Sequence, residues 1–215
     1  MGKKFVVSDH DFTHLSLTPS VSWVIDIPET IEESFHRGRV FVVLKENAFQ
    51  PSSPIRHMTE LKQLLTQIGL VKPILSMYTD GGPDHRLTYL SVQLSLLAIS
   101  LDLDLNFLCA VRTLPQHSWK NPVERIMSVL NLALQGVGSM REEVEHEQEL
   151  KHCNTLKSIG ELATKVPEIK DEVIGSVRAN RNLMNSMIQR LKLKDHSFKT
   201  EDPGNDFSMG KCVTD

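Results

Sequence analysis

The stretch Met77–Leu94, "MYTDGGPDHRLTYLSVQL", sets the fold. An apolar run, "PILSMY", ends at Thr79-Asp80. Two glycines, a proline and a second acid, Asp84, follow, and a long apolar segment starts within a few residues. A short continuous apolar run closed by Gly and Pro reads as a strand (72–79), buried on both faces, and then a turn. The segment from Arg86 is too long for one strand and reads as a buried helix to Leu101. Asp80 therefore stands at the mouth of a strand, on a rim from which Gly81 and Gly82 remove side-chain bulk. An Asp before Gly-Gly makes a tight turn by itself. The same low rim leaves room for a phosphate backbone to approach the carboxylate.

Upstream, "IRHMTELKQLLTQIG" (55–69) carries Met58, Leu61, Leu64, Leu65 and Ile68 at helical spacing, with Gly69 at its end. "RVFVVLKE" (39–46) and "SVSWVIDI" (20–27) are rich in β-branched residues and read as strands, the second stopped by Pro28. "KFVVS" (4–8) is a shorter strand, and "ETIEESFHRG" an acidic turn closed by Gly38. Downstream, "LNFLCAVRT" (105–113) is a strand and "NPVERIMSVLNLALQGVG" (121–138) a helix. Asn121 is its N-cap and Pro122 its first helical residue. From Ser139 the chain turns highly charged, and 167–194 reads as one or two helices with a Val/Ile/Leu/Met packing stripe. The pattern implies an α/β core over 1–138, a helical extension over 139–194 and a flexible tail over 195–215.

Bulk properties exclude several classes. Of 215 residues, 40% are hydrophobic, enough for a real core. A net charge of -3 and a pI near 6.3 give no bulk reason for nucleic-acid binding, so any such contact must come from a local basic patch. Cys109, Cys153 and Cys212 are widely spaced and fit neither a zinc motif nor a disulfide framework. They point to a reducing compartment, nuclear or cytoplasmic and not secreted. The N-terminus lacks the apolar region of a secretory signal, and Val6 stands where a myristoylation signal wants Ser or Thr. No uncharged apolar stretch reaches the ~18 residues of a membrane span.

The chemistry concentrates at two carboxylates. Asp80 ends one strand, and Glu124 lies in the first turn of the helix after the next strand. If those strands are neighbours, both acids reach one edge of the sheet. Convergent carboxylates on rigid elements bind Mg²⁺ or Mn²⁺, since hard cations want oxygen ligands. Two such ions ~4 Å apart serve phosphodiester chemistry.

These residues resemble a family. "TDGGPDH" looks like the "T/S-D-N/G-G-P-E-F" signature of retroviral integrases and related DDE transposases. Pro115, His117, Asn121, Glu124 and Arg125 resemble their "P-x-H-x-x-x-N-G-x-x-E-R" signature. Over roughly residues 9–140 the wording is also similar to transposon-derived proteins of invertebrate genomes. The resemblance implies a ribonuclease H-like mixed sheet flanked by helices. It also implies an ancestral Mg²⁺- or Mn²⁺-dependent nicking and strand transfer of DNA, with Asp80 and Glu124 as metal ligands and DNA as partner. Asp84 replaces the family's Glu, Pro122 its Gly, and the spacing is longer. The third catalytic acid belongs to the first strand of that fold, and here Asp26, Asp9 and Asp11 compete for the role. An N-terminally shortened copy, inactive or incomplete, is the expectation. A catalytically silent ribonuclease H-like binding or scaffold protein is the alternative.

Each residue also has a plainer role. Glu124 with Asn121 makes a capping box. Asp84 forms a turn. Lys120, Arg125, His117 and Arg86 are candidate DNA contacts, with Arg112 and His85 beside them, yet lone surface cations are mostly just solvated. His117 can pack on Trp119. Asp102-Leu-Asp104 resembles the metal motif of glycosyltransferases but more simply ends a helix. His10 and His14 have no partner ligands in the sequence. The 167–194 stripe packs against the core or, as a homo-oligomer contact, against a second chain.

Overall fold

The computed structural model describes residues 4–7, 15–70, 72–114, 117–138 and 140–204. The fold is mixed α/β. Its first part runs β1 (Phe5–Val7), β2 (Leu17–Ile25), β3 (Gly38–Glu46), α1 (Pro54–Gln67), β4 (Ile74–Thr79), α2 (Leu90–Asp102), β5 (Phe107–Arg112) and α3 (Val123–Ala133). Its second part runs β6 (Met140–Glu142), α4 (Glu147–Lys151), α5 (Leu156–Lys165), α6 (Glu168–Ser176), α7 (Arg178–Ile188), β7 (Lys192–Leu193), β8 (His196–Ser197) and β9 (Lys199–Glu201). The sequence leads one to expect a single mixed sheet. The described strands instead form four small ones: β1–β6, β2–β3–β9, β4–β5 and β7–β8. The chain divides into two compact units, Met1–Pro51 with Val129–Glu201, and Ser52–Ser128 with Asp202–Asp215.

In the first unit β2 and β3 pair antiparallel along their whole length, from Leu17↔Glu46 to Ile25↔Gly38, and β9 joins β3 in parallel. β3 is the central strand, so its β-branched run Val40–Leu44 is buried on both faces. Gly38 opens β3 at φ +137, and a Cβ there would run into the Val24 carbonyl. No other residue tolerates that combination. A second cluster gathers Leu15, Leu150, Cys153, Ile159, Ile169 and Val173, with Phe49 and Leu162 packed against it.

The apolar stripe of 167–194 faces inward: Ile169, Val173, Val177 and Ile188 are all buried. Helices as short as α5, α6 and α7 bury too little each to stand alone, so they spend these residues on a shared core. Residues 196–201, read as part of a flexible tail, form β8 and β9 and carry the buried Phe198 between them.

In the second unit Ser53 caps α1, its Oγ accepting from the Arg56 amide at 3.2 Å. The helix ends at Gly69, in the left-handed region at φ +64. Met58, Leu64 and Leu65 of α1 and Val92, Ala98 and Ile99 of α2 are buried. Lys62 ties the two helices, its Nζ 2.6 Å from Asp102 Oδ2. Gly204 lies against α1, accepting from Arg56 Nε at 3.2 Å and donating to Glu60 Oε1 at 3.3 Å. β4 and β5 pair in parallel, from Ile74↔Phe107 to Thr79↔Arg112, with α2 as the crossover. The expectation that β4 is buried on both faces does not hold. Ile74, Tyr78, Phe107 and Val111 share one exposed face. α2 likewise departs from the expected buried helix, with a row of leucines exposed.

Candidate functional site

The site lies at the C-terminal ends of β4 and β5, where ligands of parallel α/β sheets bind. The Thr113 amide donates to the Thr79 carbonyl at 3.0 Å, and its hydroxyl to the same oxygen at 3.3 Å. This bond extends the ladder by one step and fixes the exits of both strands side by side. Asp80 leaves one exit. The loop to α3, with Trp119, Lys120 and Asn121, leaves the other.

Asp80 folds back on its own turn. Its Oδ1 accepts from the Gly82 amide at 3.1 Å, and a Cβ on Gly82 would stand 3.1 Å from that oxygen. Gly82 has an ordinary φ of -61, so the glycine serves close approach and not a left-handed backbone. A side chain at Gly82 would make the Asp80 carboxylate give by a few tenths of an ångström. The carboxylate is still half exposed, with His85 Nε2 3.8 Å from Oδ1.

Beside it lies a cluster that sequence reasoning missed. The rings of His57 and His85 lie tilted at 38° to each other with centroids 4.8 Å apart. His57 Nε2 is 3.7 Å from Asp84 Oδ2, and its Nδ1 is 4.0 Å from Glu60 Oε2. His57 and Glu60 are one turn apart on α1, a spacing visible in "RHMTE". Nothing local says that this turn of α1 meets "PDH" across the fold. Asp84, read as a turn former, both lies within the single-turn 3₁₀ helix Pro83–His85 and faces His57.

Asn121 caps α3 as expected, its buried side-chain Oδ1 accepting from the Val123 amide at 3.2 Å. Glu124 sits in the first turn, where its charge complements the helix dipole. Lys120 lies 5.2 Å from the centroid of the exposed Trp119 ring, and His117 tilts against the same ring at 6.3 Å. Arg125 is exposed. Arg86 is turned to its own neighbours: it donates to Thr88 Oγ1 at 3.2 Å and Tyr89 OH at 3.1 Å, and stacks on Tyr89. Arg112 closes β5, and its Nη1 is buried without a hydrogen-bond partner.

Asp26, just past β2 in the other unit, has its Oδ2 4.0 Å from Arg37 Nε and 3.7 Å from His196 Nε2. Its carboxylate faces the Arg37 guanidinium and the His196 ring. Asp9, Asp11, His10, His14 and Pro115 lie outside the described residues. Asp102 is engaged by Lys62, and Asp104 takes a left-handed turn at φ 51, so this pair ends α2.

No family model, no curated protein and no solved structure matches the chain.

Among the described residues no group of three His, Cys, Asp or Glu side chains is arranged to hold a metal ion. Asp80 Oδ1 accepts from the Gly82 amide, and the nearby histidine nitrogens stand 3.7 and 3.8 Å from the Asp84 and Asp80 carboxylates. No helix among the described residues is long and apolar enough to cross a membrane.

Proposed function

We propose that this chain is a ribonuclease H-like core of the DDE transposase or integrase type, derived from a transposon, and that it binds DNA without cutting it. The observation that carries the reading is the order at the paired strand ends. Asp80 follows β4, the crossover α2 leads to the parallel partner β5, and Glu124 lies in the first turn of the next helix. That order matches the signatures in "TDGGPDH" and "HSWKNPVER". Catalytic silence is supported by the donor set, which offers no third ligand beside Asp80 among the described residues. DNA contact falls to the exposed Lys120, over the Trp119 ring that suits stacking on a base, and to the exposed Arg125 of α3.

The test has two arms. Mn²⁺-dependent nicking of supercoiled plasmid should be no greater for the wild type than for Asp80→Asn. Robust nicking that disappears in the variant would overturn the silence and return a carboxylate from the N-terminal region to the third place. In the second arm, binding to a short DNA duplex should weaken steeply as salt rises, because phosphate contacts release counterions. It should also weaken in the double variant Lys120→Ala, Arg125→Ala. No binding at low salt, or binding indifferent to salt, would sink the nucleic-acid role.

A further inference from the structure

The segment from Arg190 to Thr200 carries Arg190, Lys192, Lys194 and Lys199 against a single acid, Asp195, in a chain whose net charge is -3. All four cations are exposed. β7 and β8 form a hairpin in which Lys192 stands opposite Ser197 and Leu193 opposite His196. Alternation along the strands turns Leu193 and His196 partly inward and buries Phe198, so Lys192, Ser197 and Lys199 are left outside. The acid of the turn is engaged: Asp195 Oδ2 accepts from Arg37 Nη2 at 3.2 Å. Among the described residues none of the four cations is ion-paired. Lys199 Nζ stands 5.7 Å from the centroid of the Phe41 ring. The next acid along the chain, Glu201, comes at the far end of β9.

Lys194 opens the turn at φ 52, in the left-handed region. A two-residue hairpin turn favours glycine or asparagine at such a position. A lysine there strains the backbone, and strain is kept where the side chain has a use. Here that use is charge. A row of ammonium groups with no carboxylate against it attracts a polyanion. Lysine is a point charge on a flexible stem, suited to phosphate oxygens and not to reading base edges. With Leu193, His196 and Phe198 turned in, the outward side of the hairpin has no ring to stack on an unpaired base and no apolar side chain to enter lipid. The β2–β3 loop, whose ends Asp26 and Arg37 touch the hairpin, exposes Ile27 and Ile31 but also Glu29, Glu32 and Glu33. A broad anionic membrane would meet those acids. The backbone of a duplex is narrow enough to lie along the hairpin alone.

We propose that the β7–β8 hairpin is a second nucleic-acid contact, in which Lys192, Lys194 and Lys199 bind the phosphate backbone of a DNA duplex without regard to sequence. It belongs to the other unit from Lys120 and Arg125. It goes beyond the reading of the Asp80 site and rests on the charge and geometry of this hairpin alone.

Fluorescence anisotropy of a labelled duplex of arbitrary sequence, titrated with the full chain across a salt series, tests it. The triple variant Lys192→Gln, Lys194→Gln, Lys199→Gln should bind about tenfold or more weakly at low salt, and its slope of log affinity against log salt should fall by about 3, one phosphate per lysine. A charge-matched control at exposed lysines elsewhere, Lys151→Gln, Lys165→Gln, Lys170→Gln, should stay within about twofold of wild type. Lys194→Gly keeps the test open if the triple variant misfolds. Glycine suits φ 52, so its melting temperature should match or exceed that of the wild type while its salt slope falls by about 1. A triple variant that binds like wild type, while Lys120→Ala with Arg125→Ala weakens binding, would overturn the hairpin and leave the strand-end contact standing. The reverse pattern upholds the hairpin and removes the strand-end contact. A control that loses as much affinity as the triple variant, a wild type that binds no duplex at low salt, or one that binds phosphatidylserine vesicles in its place would each overturn the proposal.

Discussion

Thr113 donates both its amide and its hydroxyl to the carbonyl of Thr79, at 3.0 and 3.3 Å. The two residues stand at the exits of β4 and β5, and Thr113 is only 2% exposed. Thr113→Val keeps the shape and the amide bond but removes the hydroxyl. It should cost about 1 kcal/mol, the net worth of one buried hydrogen bond. Urea unfolding reads the loss. No change in midpoint would show that the amide alone holds the strand ends together.

Asp80 has a turn role and a candidate site role, and two substitutions separate them. Asp80→Asn keeps an oxygen to accept from Gly82 and removes only the charge. Its stability should stay within about 0.5 kcal/mol of wild type. Asp80→Ala loses the bond and should be the less stable of the two, by about 0.5 kcal/mol because the turn is half exposed. DNA affinity should rise slightly in both, since one negative charge leaves the rim. Equal stability of all three proteins would remove the turn role.

The Arg141–Glu147 pair is deeply buried, with contacts of 2.7 and 2.8 Å and side chains 2% and 6% exposed. The fork-to-fork geometry satisfies both groups, and it ties β6 to α4. Removing one partner strands the other charge away from water. Glu147→Ala should therefore cost about 3–5 kcal/mol. Replacing both, Arg141→Met with Glu147→Leu, should recover most of that loss. Chemical denaturation of the three proteins decides it, and a double variant no better than the single one would contradict the desolvation argument.

His146 stands at the N-terminal end of α4, its Nδ1 2.8 Å from Glu172 Oε1. That hydrogen bond to a carboxylate raises the imidazole above its ordinary value of 6.5, with further help from Glu149 and Glu145. The folded protein thus holds this proton more tightly than the unfolded chain does. The added stability is full below about pH 6.5 and is lost as pH rises through the raised folded value. His146→Gln should flatten this part of the stability profile between pH 6 and 8. NMR titration of the wild-type ring gives the direct reading, and an ordinary or lowered value would refute the assignment.

The local signals were legible in the sequence because they are short-range. Met58, Leu64 and Leu65 recur at helical spacing, so α1 appears where the period places it. Asn121 before Pro122 starts α3, because a cap needs only its own next two residues. Asp80 at a strand end could be read from an apolar run stopped by Gly-Gly. What such signals omit is the partner. "PILSMY" shows that β4 is apolar but not that only one of its faces is covered. The stripe of Ile169, Val173, Val177 and Ile188 has the same period whether it meets the core or another chain, and packing sent it inward. Phe198 sits in a polar segment and becomes buried only because β9 finds β3. The fates of the acids were decided the same way. Asp26 meets Arg37 and His196, and Asp84 meets His57 from α1, through contacts far apart along the chain. Periodicity and capping act over one or two turns of chain. Which carboxylate faces which cation is settled by long-range packing, and that belongs to the tertiary structure.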